Sequence, residues 1–172
     1  MRHIIADHSC NAFLKPGEVI ISSNPVLVST VLGSCVAVTM YSPEKRVGAI
    51  CHAMLPNNLK HEDNLLYVES AVRCIHSKMM EYGGEGDLVI KLFGGAQVLA
   101  GCHSTGTRRS VGEQNIAQAR KILGQLGLAI AIEDVGGNSG RKLLFSIKTG
   151  DVYLRKLKLG GIDCAYPQGV MQ

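Results

Sequence analysis

Tryptophan is missing from this sequence, and aromatic residues make up only 5% of its 172 positions. A core must therefore come mainly from Val, Ile, Leu, Met and Ala. At 46% hydrophobic residues there are enough of these for an ordinary globular chain and too many for a disordered one. Long apolar runs are also missing. No window approaches the roughly 20 residues that span a bilayer. The opening Met1 to Cys10 has no apolar core region and carries His3, Asp7 and His8, so no signal peptide is expected. Repeats and low-complexity segments are absent. Without a secretion signal, and with a chain large enough to fold unstapled, the six cysteines (10, 35, 51, 74, 102, 164) are expected as free thiols in a cytoplasmic protein.

Excess charge is small, +4 with a sequence pI near 8.8. That favours an acidic protein surface more than it demands nucleic acid. The basic pairs Arg108-Arg109, Arg141-Lys142 and Arg155-Lys156 lack the interleaved aromatics of a strand-stacking platform and read as solvated faces. Metal-ligand spacing is also wanting. Cys51-His52 and Cys102-His103 set ligand types side by side, but adjacent strand residues face apart and the Cys-x₂₋₄-Cys pattern of structural zinc does not occur. Neither metal nor cofactor is expected. The glycine pairs in Phe93-Gly94-Gly95-Ala96 and Val135-Gly136-Gly137-Asn138 match no phosphate-loop fingerprint and read as tight turns.

What is present is alternation. Met1 to Pro16 reads as an arm. Glu18 to Ser22 and Val26 to Leu32 read as strands. Val36 to Tyr41 alternates after the Gly33-Ser34 break, and Val47 to Leu55 runs back after the turn Ser42-Pro43-Glu44-Lys45. This predicts a hairpin from Cys35 to Leu55 with Cys35 and His52 near one end. A helix is expected over Asn64 to Tyr82, capped by Asp63 and Gly83-Gly84, with Leu65, Val68, Val72, Ile75 and Met79 as its stripe. After a strand from Asp87 to Phe93, a second helix is expected behind the capping box Ser110 to Glu113, with Ile116, Ala119, Leu123 and Leu126 as its stripe and Gly127 as its stop. Leu128 to Val135, Lys142 to Lys148 and Val152 to Leu157 complete the strands. The fold class is α/β, a single domain over residues 1–172 with its core at about 15–157, an N-terminal arm and a C-terminal tail.

The sharpest chemical feature is Leu32-Gly33-Ser34-Cys35-Val36-Ala37-Val38. A cysteine after a Gly-Ser break is presented at a sheet end, where flexible backbone at Gly33 and Ser34 can turn N–H groups toward an oxyanion. A thiol with a pKa of about 8.5 needs a base, and the returning strand supplies His52. Spacing alone leaves open the plainer alternative of a buried thiol and a structural imidazole. Cys51, on the opposite strand face, is the weaker nucleophile.

The string Thr30 to Val38 resembles the signature of the CheD family, as do Gly48 to Pro56, Lys91 to Ala96, Val111 to Asn115, Glu133 to Arg141, and Thr149-Gly150 with Val152. The resemblance covers roughly residues 15 to 157. It implies a layered sandwich of mixed strands with two long helices, like that of toxin-type cysteine deamidases. It implies a protein-glutamine glutaminase, a hydrolase that converts glutamines of chemotaxis receptors to glutamates on their cytoplasmic helical bundle. Cys35 is the implied nucleophile and His52 its acid–base partner. Some members bind the phosphatase CheC. The family's orienting hydroxyl is expected six positions before the cysteine, at Ser29, with Thr30 one further on, and either can serve. The rival readings are a non-catalytic chemotaxis adaptor that binds CheC or receptors, and a related thiol methylesterase.

Overall fold

The computed structural model describes residues 10–57, 64–84, 86–97 and 109–157. Among them, nine strands form two sheets, and two helices cover one face. The strands are β1 (Cys10–Phe13), β2 (Val19–Ser22), β3 (Val26–Leu32), β4 (Val36–Ser42), β5 (Val47–Ala53), β6 (Val89–Gly94), β7 (Ile130–Val135), β8 (Arg141–Ser146) and β9 (Val152–Lys156). The helices are α1 (Val68–Glu81) and α2 (Val111–Gln125). One sheet runs β1-β3-β8-β9 and the other β2-β5-β4-β6-β7. Pairings are antiparallel except β1 with β3 and β6 with β7.

The five-stranded sheet is the middle layer, and its residues show why. Every residue of β4 and β5 is buried, because both faces of this hairpin are covered. Val36, Val38, Met40, Ala49, Cys51 and Ala53 pack toward the helices, meeting Val68, Val72, Ile75 and Met79 of α1 and Ile116, Ala119 and Leu123 of α2. The alternate residues Ala37 and Ile50, with Phe93, pack toward the four-stranded sheet, meeting Val28, Leu32, Leu143 and Phe145. With few aromatics available, Phe93 and Phe145 are placed in this second interlayer. The far face of the four-stranded sheet exposes Phe13, Val31 and Tyr153. The expected layered sandwich of mixed strands with two helices is therefore the architecture found.

Three readings need correction. The expected arm contains β1, which adds to the edge of β3, and Leu14 just after it is fully buried. The first helix begins at Val68, not Asn64. Asn64 Oδ1 accepts from the Leu66 N–H at 2.9 Å, and this local turn competes with helical bonding. Its start, Tyr67, has no side-chain cap; the proposed cap Asp63 lies outside the described residues, as do Cys102, His103, Arg108 and Cys164. Arg141 is not on a solvated face. It is buried, and its guanidinium bonds the Asp134 carboxylate at 2.6 Å and the Asp134 and Gly136 carbonyls, stitching the glycine turn between β7 and β8. Strand ends elsewhere move by a residue or two. The second helix keeps its expected capping box, Ser110 with Glu113.

The interlayer between the sheets holds the molecule around Phe145. Phe145→Ala should cost about 3–5 kcal/mol, read from urea unfolding. Tyr153→Ala on the open face should cost far less.

Candidate active site

His52 lies on β5, paired across the ladder with Ala37 of β4. Ile50, two residues earlier, packs between the sheets, so His52 faces the same interlayer. Cys35 immediately precedes β4 and shares the parity of Ala37, and it packs partly buried against the same interlayer cluster. The thiol and the imidazole thus sit on one face of the middle sheet as diagonal cross-strand neighbours, a relation of about 7–8 Å between backbones that side chains can span. Cys51 points the other way, into the helix-facing core.

The imidazole is buried and held from the opposite sheet. His52 Nδ1 lies 2.8 Å from Thr30 Oγ1, and the same hydroxyl donates to the Leu14 carbonyl at 2.8 Å. A hydroxyl has one proton. Given to Leu14, it leaves Thr30 as acceptor, so the imidazole carries its proton on Nδ1. Nε2 then bears a lone pair, and it is buried with no partner among the described residues. Ser29 cannot share this task. On β3 it alternates with Thr30, and its hydroxyl donates to the Ala12 carbonyl at 3.3 Å. The structure brings Thr30, Cys35 and His52 to one interlayer and turns Ser29 away from it.

Around Cys35 the backbone is gripped carbonyl by carbonyl. The Gly33 carbonyl accepts from Ala96 N–H at 2.8 Å, and the Cys35 carbonyl from Gly95 N–H at 2.7 Å. Between them the Ser34 carbonyl accepts from Asn115 Nδ2 at 2.9 Å. This close approach explains Gly94, whose φ is +109°: a Cβ there would fall 2.2 Å from the Cys35 oxygen. Leu14 and Asn115 are contributors that the sequence did not single out. The signal for Asn115 was there, since a polar residue four before Ala119 interrupts the apolar stripe of α2.

Burial governs the charges. It pushes the Cys35 thiol up from its ordinary 9.0, partly offset by a hydrogen bond from its own backbone N–H. It pulls the His52 imidazole below 6.5, offset by the Leu14 carbonyl and the nearby Glu18 carboxylate. Cys51 is fully buried, and its thiol is pushed up to about 12. Near neutral pH, then, Cys35 and His52 are both uncharged in the resting protein. Among the described residues no three His, Cys, Asp or Glu side chains gather to hold a metal, and Cys10, Cys35, Cys51 and Cys74 are all free thiols.

Fold and site together define a three-layer sandwich that sets a free cysteine and an imidazole, its Nε2 without a partner among the described residues, on one sheet face. The family model described as CheD chemotactic sensory transduction matches residues 54–156. A protein of Geobacter sulfurreducens named probable chemoreceptor glutamine deamidase CheD 2 is 43% identical over 86% of this chain and 90% of its own. The probable chemoreceptor glutamine deamidase CheD of Maridesulfovibrio salexigens is 40% identical over 85% of this chain and 91% of its own. One of the same name from Methanococcus maripaludis is 33% identical over 83% and 93%. The chain belongs to the CheD family. The family-model match begins after His52, whereas a stretch covering 86% of the chain takes in Cys35 and His52 wherever it starts.

The charge states give a pH signature. A thiol raised above 9.0 is protonated at neutral pH and ionises only as pH climbs past that value. Iodoacetamide alkylation of Cys35 in the resting protein should therefore keep rising above pH 9, with no plateau near neutrality. Cys51 should stay unlabelled until the protein unfolds. A neutral-pH plateau, mapped by peptide mass spectrometry, would mean a preformed thiolate–imidazolium pair instead.

Proposed function

We propose that the chain is a hydrolase that deamidates glutamine side chains of chemotaxis receptors, with Cys35 as nucleophile and His52 as acid–base group. The observation that carries this reading is the unengaged, buried Nε2 of His52 on the sheet face that also presents the Cys35 thiol. The names of the relatives supply the substrate class.

The charge states favour general-base attack over a standing thiolate. Nε2 takes the thiol proton as Cys35 Sγ bonds to the carboxamide carbon. The carbonyl oxygen gains the negative charge and is met by backbone N–H groups at Ser34 and Cys35. The C–N bond then breaks, and His52 returns the proton to the departing ammonia. Water, deprotonated by Nε2, attacks the thioester, yielding glutamate and the free thiol. Thr30 holds Nδ1 and so keeps the lone pair on Nε2 whenever the ring is neutral. No cofactor enters the sequence. The receptor's cytoplasmic helical bundle is the partner and the cytoplasm the compartment in this reading, with CheC as a further partner that the family resemblance implies. Among the described residues no helix is long and apolar enough to cross a membrane.

Ammonia release from receptor cytoplasmic fragments tests the assignment, with the gain of about one mass unit per converted glutamine as the covalent record of the thiol–carbonyl chemistry. Cys35→Ala and His52→Ala should each lower turnover by at least about 100-fold. Thr30→Ala should lose about 10- to 100-fold, the equivalent of one lost buried hydrogen bond, and Thr30→Ser should recover most of it. Ser29→Ala should stay close to the parent. Full turnover in Cys35→Ala would sink the mechanism.

A further inference from the structure

The side chain of Asn115 on α2 hydrogen-bonds the main chain at both strand ends that carry the site. It is fully buried, and its single amide nitrogen bonds two main-chain carbonyls, Ser34 and Met54, each at 2.9 Å. Ser34 immediately precedes the nucleophile. Met54 follows His52 by two residues. The amide oxygen, Oδ1, is buried and has no partner among the described residues. The amide orientation is settled by these contacts, because a flipped amide would set its oxygen against two carbonyl oxygens.

A mid-helix asparagine is a poor helix former, and an unpartnered buried amide oxygen is costly. Its geometry has a specific consequence. In a trans peptide the carbonyl and the following N–H point in opposite directions, and no cis peptide occurs among the described residues. Asn115 reaches the Ser34 carbonyl from the helix layer. The Cys35 N–H is thereby turned away from the helices, toward the interlayer where the Cys35 side chain lies. The neighbouring carbonyls of Gly33 and Cys35 are held by Ala96 and Gly95, so the peptide is fixed from both sides.

We propose that Asn115 is a positioning residue that aims the Cys35 N–H as an oxyanion donor and, through Met54, holds the nucleophile's strand end against that of His52. It touches no reacting atom. This proposal rests on the thiol deamidase reading, and it predicts where a defect appears. An oxyanion donor acts only once the carboxamide carbon turns tetrahedral. Alkylation of the thiol by iodoacetamide passes through no oxyanion and does not need that donor.

The test pairs the two reactions in Asn115→Ala and in Asn115→Leu, which keeps the volume and lacks the donor. In whichever variant retains the parent's circular dichroism and cooperative melting, kcat for ammonia release should fall by about 100-fold, the scale of one lost oxyanion donor. KM and the Cys35 alkylation rate should stay within about threefold of the parent, as expected for a residue that binds neither substrate nor thiol. A peptide carrying an aldehyde in place of the glutamine carboxamide, which forms a tetrahedral adduct with the thiol, should bind more weakly in parallel with kcat. Alkylation falling as far as turnover would show a general loss of site structure and overturn the proposal. So would unchanged turnover, or failure of both variants to fold. If the parent protein itself releases no ammonia, the deamidase reading has failed; a fully active parent with fully active Asn115 variants removes only the role of Asn115.

Discussion

A buried imidazole must satisfy at least one ring nitrogen, and much of this architecture follows from how His52 does so. Its Nδ1 meets a hydroxyl from the facing sheet, and that hydroxyl is itself anchored on the Leu14 carbonyl. Three chain segments are thus tied by two bonds in the layer between the sheets. Each bond in so dry a place weighs more than its surface counterpart, since an orphaned partner would cost about 1–3 kcal/mol. The edge strand β1 matters for this reason. It delivers Leu14 to the one position where its carbonyl can fix the direction of the Thr30 hydroxyl, and hence the tautomer of His52.

The same dryness sets the chemistry. A thiol and an imidazole in water would reach an ion pair only with help from a preorganised field. Here burial works against both charged forms, raising Cys35 and lowering His52. In the proposed mechanism such a site waits in its neutral state and develops charge only as the bond forms, when backbone donors would stabilise the oxygen. The alternative is a standing thiolate–imidazolium pair formed before the substrate arrives. Burial on both faces of the middle sheet argues for the other order of events, because the charge would otherwise have to persist in a low-dielectric layer.

The sequence showed the α/β class, the Cys35–Leu55 hairpin, the capping box of α2 and the opposed faces of Cys51 and His52, because each rests on local periodicity or cap chemistry; the layered sandwich was implied by the family resemblance. It did not separate Ser29 from Thr30. The run Val26-Leu27-Val28-Ser29-Thr30-Val31-Leu32 is apolar on both parities, so nothing local tells the inward face from the outward one. Only the pairing of β3 between β1 and β8 selects Val28, Thr30 and Leu32 as inward. Arg141 was misread for a related reason. A basic pair in a glycine-rich turn looks solvated until the fold folds that turn over the guanidinium. The β1 strand was invisible because a short edge strand of mixed polarity, Cys-Asn-Ala-Phe, has no period of its own.

The adaptor reading can be weighed by what the site costs the fold. A protein that only binds a partner gains nothing from a buried imidazole nitrogen left without a hydrogen bond. It gains nothing from a backbone so tight that Gly94 at φ +109° is the sole residue type to fit against the Cys35 carbonyl. Departures from local comfort of this kind cluster where function requires them. Some of them meet around Cys35 and His52: carbonyls of Gly33, Ser34 and Cys35 held by Ala96, Asn115 and Gly95, and an Nε2 with no partner among the described residues. A surface built for docking would place its unusual features outside. These lie inward, where a side-chain carboxamide would have to enter to meet them.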